Sequence, residues 1–334
     1  MLSGVQSVTV AADETDLRLD RWFSRRFPDL GHGKLEKLLR TGQVRVDGKR
    51  AKSNQRLEEG QLIRVPPLGD LKPAAETGPK PAKPVSAAEA KALTDAILYM
   101  DDDVIVLNKP AGLAVQGGTS LDHHHLDAML DALIFKAKER PRLVHRLDKD
   151  TSGALLLGRS AFATAKLAAS FRSREARKCY WALVVGAPKY PQGRIDAALA
   201  KMTGRMGDKV EVDEDEGKRA VTYYRVVDSA YKKAAWLEME PRTGRTHQLR
   251  AHCALLGTPI QGDGKYGGLD AYLTGQGVSK KLHLHSRAVM VPHPRQGLIK
   301  VTAPLPAHIS ASFEFFGFDE ERSGPPFEAF DEDQ

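Results

Sequence analysis

The chain has 334 residues, of which 41% are hydrophobic and 28% charged. This composition is ordinary for a folded protein, and the length favours two domains over one. No apolar run approaches the roughly 20 residues that a membrane helix needs, and no secretory signal marks the N-terminus. We therefore expect no membrane attachment. Because only Cys179 and Cys253 are present, we also expect two reduced thiols and a cytoplasmic location.

The net charge of +7 is distributed unevenly along the chain. Residues 18–56 hold 12 Lys and Arg against 4 Asp and Glu, whereas residues 319–334 hold 7 acidic residues and Arg322. A basic segment of this kind can bind a polyanion, but it can also be a set of solvated helix faces. Charge alone therefore leaves nucleic-acid binding open.

Residues 1–70 are predicted to form a small domain of two helices on a short sheet. LRLDRWFSRRF and KLEKLLRTG have helical periodicity, and Gly31-His32-Gly33 separates them. QVRVDGKR predicts two strands joined by an Asp-Gly turn, and QLIRV predicts a last strand. Residues 71–93 are predicted to be a semi-rigid linker, because this proline-rich region has no aromatic residue with which to build a core.

Residues 94–318 are predicted to form a larger α+β domain. Helices are expected at DAMLDALIFKAKE and AFATAKLAASFRS, and strands at ILYM, VIVLNKP, ALLLGRS, YWALVVG, RAVTYYRVV, AAWLEMEP and LHLHSRAVMV. Few helices separate the later strands, which favours a mixed sheet over a strictly alternating parallel fold. Residues 319–334 are expected to be a partly disordered acidic tail.

The strongest local signal for chemistry is HRLDKDTSG, which runs directly into the apolar segment ALLLG. Asp148 then lies on a turn beside a strand, where a rigid sheet can hold a group that the loop exposes. The same residues could also be only a polar turn entering a buried strand. The run from His123 to His125 does not predict a metal site, since three adjacent histidines cannot all face one ion from regular structure.

The run HRLDKDTSGALLL resembles the catalytic signature of the RluA-type pseudouridine synthases. Three further motifs occur in that family's order: ILYMDDDVIVLNKPAGLAVQGG, RKCYWALVVG and PRTGRTHQLRAHCALLGTPIQGDGKYG. RLDRW, HGKLEKLLRTGQVRVDGKR and EEGQLIRV resemble the αL RNA-binding motif. The plan is nearest the RluC type, so the resemblance implies an αL domain joined to a catalytic domain with a mixed, largely antiparallel sheet flanked by helices.

The resemblance also implies roles for individual residues. Asp148 would be the essential carboxylate, Arg250 would hold it ionised, and Tyr180 would stack on the target base or remove its ring proton. Arg146 would fill the space that the base vacates, with His145 supporting the same loop. The resemblance also implies Lys34, Lys37, Arg40 and Arg45 on RNA phosphates and Lys109 and Pro110 beneath the active site. In the segment TGRTH, the side chain of Arg245 could hold phosphate, and His247 could hold phosphate or bind within the protein. The same segment could also be only a polar turn.

The reaction that the resemblance implies needs no cofactor and no metal, and the route of the isomerisation stays open between base addition, ribose attack and a glycal. The expected substrate is structured RNA, most directly large-subunit ribosomal RNA, with transfer RNA as the second choice. A non-catalytic ribosome-assembly factor would be expected to have lost Asp148, Tyr180 or Arg250. A small-subunit-type synthase would carry Gly-Arg-Leu-Asp, and a nucleic-acid deaminase would need zinc ligands that are missing here. A monomer is the expected state.

Overall fold

The computed structural model describes residues 4–11, 14–15, 17–69, 85–117, 125–202, 209–273 and 278–330. The chain divides into two compact units, Met1–Pro84 and Val85–Gln334. Within the described ranges, no helix is both long enough and apolar enough to cross a membrane.

The first unit is a four-stranded antiparallel sheet with two helices. Its elements are β1 (Gln6–Thr9), α1 (Leu19–Arg26), α2 (His32–Arg40), β2 (Arg45–Val46), β3 (Lys49–Arg50) and β4 (Leu62–Val65), and the sheet order is β1-β4-β2-β3. Trp22, Phe23 and Phe27 of the α1 region form the centre of its core. Asp47 and Gly48 both have left-handed backbone, as the predicted Asp-Gly turn requires. The sequence did not predict β1.

The second unit is built on one large mixed sheet with helices against it. Its strands are β5 (Ile97–Met100), β6 (Val104–Lys109), β7 (Arg142–Leu143), β8 (Ser152–Gly158), β9 (Arg177–Val185), β10 (Gln192–Met202), β11 (Lys209–Val212), β12 (Lys218–Ala230), β13 (Ala234–Pro241), β14 (Leu284–Pro292) and β15 (Leu298–Thr302). Its helices are α3 (Ala87–Asp95), α4 (Leu126–Met129), α5 (Ala161–Ser173), α6 (Gln248–Leu255), α7 (Gly264–Gly267) and α8 (Ala307–Phe316).

The strand order of the large sheet is β11-β10-β12-β13-β9-β14-β8-β6-β5, with β15 beside β14 and β7 beside β8. The β14–β8 pair is parallel, and the other pairs of described strands are antiparallel. The predicted α+β class with a mixed, largely antiparallel sheet is therefore confirmed. Strand β8 is buried along its whole length, which explains its continuous apolar run.

Two local predictions are wrong. The end of the predicted linker is the helix α3, whose capping box joins Ser86 and Glu89 and whose Leu93 packs into the core, while residues 71–84 lie outside the described residues. The predicted helix DAMLDALIFKAKE ends after α4 and one 3-10 turn, because Phe135 has a left-handed backbone with φ of 47°. The acidic tail, expected to be partly disordered, is folded as far as the buried Phe330, and residues 331–334 lie outside the described residues.

Candidate active site

Asp148 lies on the turn that precedes β8, as the sequence predicted. Its carbonyl oxygen accepts a hydrogen bond from the Thr151 amide at 3.1 Å, which closes the turn. The next carbonyl, that of Lys149, accepts from the Gly112 amide at 2.9 Å. The Asp148 side chain keeps 20% of its surface exposed, so its carboxylate is accessible from the cleft described below.

Lys109 holds this turn from beneath. Its buried ammonium donates to the carbonyl oxygens of Pro110, Leu113 and Lys149 at 2.8, 2.9 and 3.0 Å. Burial lowers the pKa of Lys109 to about 8, while the nearby negative charges of Asp150 and Asp148 act in the opposite direction. The end of β6 is thus tied to the residue that follows Asp148.

His145 supports the turn from inside the protein. Its Nε2 accepts a hydrogen bond from the Leu156 amide at 3.0 Å, and its ring stacks on Phe171 with centroids 4.6 Å apart. Burial and, to a smaller extent, the charge of Lys178 lower the pKa of His145 to about 3. The ring is therefore neutral, its face packs against Phe171, and its Nε2 is occupied by the hydrogen bond from Leu156. Arg146 is exposed and lines the cleft.

Two strand pairings bring Tyr180 to the same place as the Asp148 turn. Gly153 of β8 pairs with Ser286 of β14, and Ser286 pairs with Tyr180 of β9. Gly153 has φ of 107°, and a Cβ there would lie 2.2 Å from the Ser286 carbonyl oxygen. The glycine of the Asp-Lys-Asp-Thr-Ser-Gly run is therefore required by the close approach of β8 and β14.

Tyr180 is buried, and Ser286 is its cross-strand neighbour on β14. Burial raises the pKa of Tyr180 well above its usual value; the Ser286 side chain opposes this, and the charge of Asp148 adds to it. The phenol is consequently protonated at neutral pH.

Arg250 is held by a carboxylate that the sequence did not single out. Its Nε and Nη2 donate to the two oxygens of buried Asp263 at 2.7 and 2.6 Å, and its guanidinium lies 5.0 Å from the Tyr266 ring centre. The direct pairing with Asp148 that the resemblance implied is not found among the described residues. Arg250 acts on Asp148 through charge, without a hydrogen bond.

The segment Thr243–Gln248 forms a rigid turn beside Asp148. The Gln248 side chain accepts from the Thr243 hydroxyl at 2.7 Å and the Arg245 amide at 3.1 Å, and it donates to the Val221 carbonyl at 2.9 Å. His247 has left-handed backbone at the start of α6, and its Nε2 lies 3.9 Å from an Asp148 oxygen. Arg245 lines the cleft and its Nε donates to the Arg219 carbonyl at 3.3 Å.

Asp148, Tyr180, Arg250 and the turn from Thr243 to Gln248 line one cleft of about 550 Å³, together with His145 and Arg146. Its basic side chains outnumber Asp148 and Glu240, the two acidic residues that line it. Five of the basic lining residues were not predicted from the sequence, namely Arg172, Arg174, Arg177, Lys178 and Arg242. The basic run RSREARK could have indicated the first four, because it ends two residues before Tyr180.

The family profile described as RNA pseudouridylate synthase matches residues 103–255. A ribosomal large subunit pseudouridine synthase C from Rickettsia typhi is 36% identical over 88% of this chain and 95% of its own length. The chain belongs to the RluA family of RNA pseudouridine synthases. A mitochondrial RNA pseudouridine synthase 4 from Arabidopsis thaliana is 34% identical over 94% of this chain and 82% of its own length.

A solved structure shows the same relationship for the synthase fold. Human RNA pseudouridylate synthase domain containing 4 superposes with a TM-score of 0.58 at 28% identity, covering 69% of this chain and 96% of its own. The family resemblance inferred from the four motifs is thus confirmed. This chain is an RNA pseudouridine synthase.

The first unit of the synthase carries the predicted phosphate-binding residues in two different settings. Lys34, Lys37 and Arg40 are exposed on α2. Arg45 instead donates to the carbonyl oxygens of Gly42 and Gly48 at 3.2 and 2.9 Å, which links two turns. The exposed stripe on α2 therefore differs from Arg45, whose guanidinium is engaged within the protein.

The histidine run supplies no metal site within the described residues. His125 uses its Nδ1 to accept a hydrogen bond from the Ala128 amide at 3.2 Å, which caps α4. His123 and His124 lie outside the described residues. Across the ranges that the structure describes, no group of three or more His, Cys, Asp or Glu side chains could hold a metal ion.

Proposed function

We propose that this synthase converts uridines of large-subunit ribosomal RNA to pseudouridine, with Asp148 as the essential carboxylate. The observation that carries the proposal is an accessible Asp148 carboxylate on a turn held by Lys109 within a basic cleft. The choice of RNA follows the name of the Rickettsia typhi relative, whose sequence aligns with most of this chain.

The reaction requires the protein to supply a carboxylate and to hold the reacting groups in a fixed geometry. A uracil is detached from its ribose, rotated and rejoined through a ring carbon, so substrate and product are isomers. Asp148 is suited to this as an ionised group that attacks or stabilises the detached partner. Arg250 contributes positive charge from a fixed position, because Asp263 holds its guanidinium by two hydrogen bonds.

Tyr180 is proposed to stack against the target base. Its raised pKa means that it enters the reaction as a neutral phenol, which favours packing and hydrogen-bond donation over immediate removal of the ring proton. Its place on β9, next to Ser286, fixes the ring relative to the Asp148 turn.

Arg146 is proposed to enter the space that the flipped nucleotide vacates. Extruding a nucleotide costs a few kcal/mol, and a planar guanidinium can offset part of this by stacking and hydrogen bonding together. Arg146 is exposed at the cleft, two residues before Asp148, so it can reach the RNA stack beside the reacting nucleotide.

The basic residues are proposed to hold the RNA backbone without reading its sequence. Arg172, Arg174 and Arg245 line the cleft, and the α2 stripe of Lys34, Lys37 and Arg40 offers a second surface on the first unit. Arg45 is proposed to maintain the shape of that unit, since its hydrogen bonds are internal. Phosphate contacts of this kind give affinity that depends on salt.

The substrate is tested by tritium release, because isomerisation expels the hydrogen at the ring carbon that forms the new bond. Transcripts of large-subunit ribosomal RNA and of transfer RNA, each labelled at that position, are incubated separately with the full-length protein. We expect release from the ribosomal transcript. Release from transfer RNA alone would overturn the choice of substrate, and release from neither would favour a non-catalytic RNA-binding role.

A further inference from the structure

The ring of His247 lies between the Asp148 carboxylate and the Tyr266 hydroxyl. Its Nε2 is 3.9 Å from Asp148 Oδ2, and its Nδ1 is 3.0 Å from the Tyr266 oxygen. The side chain is 15% exposed, so most of the ring is withdrawn from solvent. The sequence left two roles open for this residue, on phosphate or within the protein.

The neighbours of Tyr266 favour the tautomer of His247 that carries its proton on Nε2. The Tyr266 oxygen already accepts a hydrogen bond from the Val210 amide at 3.0 Å, so its own hydrogen is available to Nδ1 of His247. The imidazole proton then lies on Nε2 and faces Asp148. The other tautomer would direct the Nε2 lone pair at a carboxylate oxygen, which is repulsive.

The same surroundings keep the ring neutral. Burial lowers the pKa of His247, and the positive charges of Arg250 and Lys265 lower it further, while Asp148 and Asp263 act in the opposite direction. A neutral ring can donate one hydrogen bond to Asp148 without placing a positive charge beside the carboxylate.

The backbone fixes where the ring points. His247 has φ of 52°, and its carbonyl accepts from the Ala251 amide at 3.0 Å in the first turn of α6. The adjacent Gln248 side chain ties the turn to β12 by hydrogen bonds to Val221 and Thr222. These hydrogen bonds hold His247 in a backbone conformation that non-glycine residues rarely adopt.

We propose that His247 is a positioning residue that donates its Nε2 hydrogen to Asp148 and holds that carboxylate in one orientation. The present separation exceeds a hydrogen bond by about 1 Å. A small adjustment on RNA binding would close it, as catalytic hydrogen bonds commonly tighten in the substrate complex. The inference rests on the proposed role of Asp148.

Two amide substitutions separate this role from a structural one. In His247→Gln the side-chain amide can occupy the place of Nε2 and donate to Asp148, whereas in His247→Asn it stops at the place of Nδ1. Asparagine tolerates left-handed backbone better than glutamine does. A purely structural role therefore predicts that the Asn variant is the more active one, and the positioning role predicts the reverse.

The rate of tritium release is measured under single-turnover conditions on pooled ribosomal and transfer RNA transcripts, together with RNA affinity. We expect the Gln variant to stay within about threefold of the parent and the Asn variant to lose about 10- to 100-fold in rate, with the affinity of both unchanged. Equal losses in the two variants would overturn the proposal. A weaker affinity with a smaller salt slope in both would return His247 to phosphate binding.

A third variant, Tyr266→Phe, tests the position of the proton. Without the hydroxyl, Nδ1 of His247 is free to take up a proton, and the cationic ring would draw Asp148 into an ion pair. We expect a new loss of rate on the acidic side of the pH profile, absent from the parent; an unchanged profile would contradict the assigned tautomer. Parent activity on the pool but not on ribosomal transcript alone would overturn only the proposed substrate.

Discussion

Substituting Gly153 by alanine tests whether the approach of β8 to β14 positions the site. The added Cβ would lie 2.2 Å from the Ser286 carbonyl oxygen, and φ of 107° is unfavourable for alanine. Overpacking and backbone strain together are expected to lower the free energy of unfolding by about 3–5 kcal/mol. The strands would have to separate by about 1 Å, which moves Tyr180 relative to Asp148 and is expected to reduce kcat about 100-fold.

Gly257→Ala provides the matched control for Gly153→Ala. Gly257 also has a positive φ, of 73°, but its Cβ would meet no atom within 4 Å, so we expect a loss of only about 1 kcal/mol. Urea unfolding of the full-length protein is followed by tryptophan fluorescence, to which Trp181 and Trp236 of the second unit and Trp22 of the first contribute. If both variants were destabilised equally and remained fully active, strand separation would not explain the need for Gly153.

Three further predictions concern RNA affinity, pH and the C-terminal segment. Replacing Lys34, Lys37 and Arg40 together by alanine should reduce the steepness of the plot of log binding constant against log salt concentration by about 0.7–0.9 for each phosphate that the variant no longer binds. An unchanged slope in filter-binding titrations would argue against an RNA-binding α2. Burial lowers the pKa of three histidines to about 4, namely His252, His283 and His285. Between pH 6.5 and 4 the unfolded chain therefore binds protons that the folded protein does not, so the free energy of unfolding should fall as the pH drops through this range. Urea unfolding at several pH values would check this. Phe327→Ala should lower the unfolding free energy by about 3–5 kcal/mol, whereas the half-exposed control Phe315→Ala should change it by less than about 1 kcal/mol; similar values for the two in urea titrations would mean that the tail does not stabilise the sheet.

The sequence was most informative where a polar run adjoins a continuous apolar strand. Asp148 could be placed beside β8 because the apolar run ALLLG predicts a buried strand shortly after it. All seven residues from Ser152 to Gly158 are indeed buried. Lys109 is the last residue of β6 and is buried, and its place beneath the site was expected from the family resemblance and not from the pattern of the strand. Local patterns of this strength predict both the element and the residue at its end.

Contacts between distant segments could not be predicted in this way. The partner of Arg250 is Asp263, and the two meet only because α6 and α7 pack together. The acidic composition of the last segment suggested disorder, yet the carbonyl of Phe327 accepts from Arg177 at 3.1 Å and its ring joins a cluster with Trp236. Three-dimensional packing of a few aromatic residues outweighed the local excess of charge.

The failed helix after α4 shows the same limit at short range. Its apolar spacing suits a helix, but Arg140 folds back to donate to Asp131 Oδ1 at 2.7 Å and to the Asp127 carbonyl. Between these residues Phe135 has a left-handed backbone, which a periodicity argument does not detect. The apolar pattern therefore indicated which residues are buried in this segment, but the helix predicted from it was wrong beyond the first turns.

The assignment of Asp148 as the group that performs the isomerisation is tested by comparing tritium release by the parent protein and by Asp148→Asn. The substitution removes the negative charge at nearly constant shape, so both proteins should fold alike and bind labelled large-subunit ribosomal RNA with equal affinity. We predict release by the parent and none by the variant. Substantial release by Asp148→Asn would contradict the assignment of the essential carboxylate.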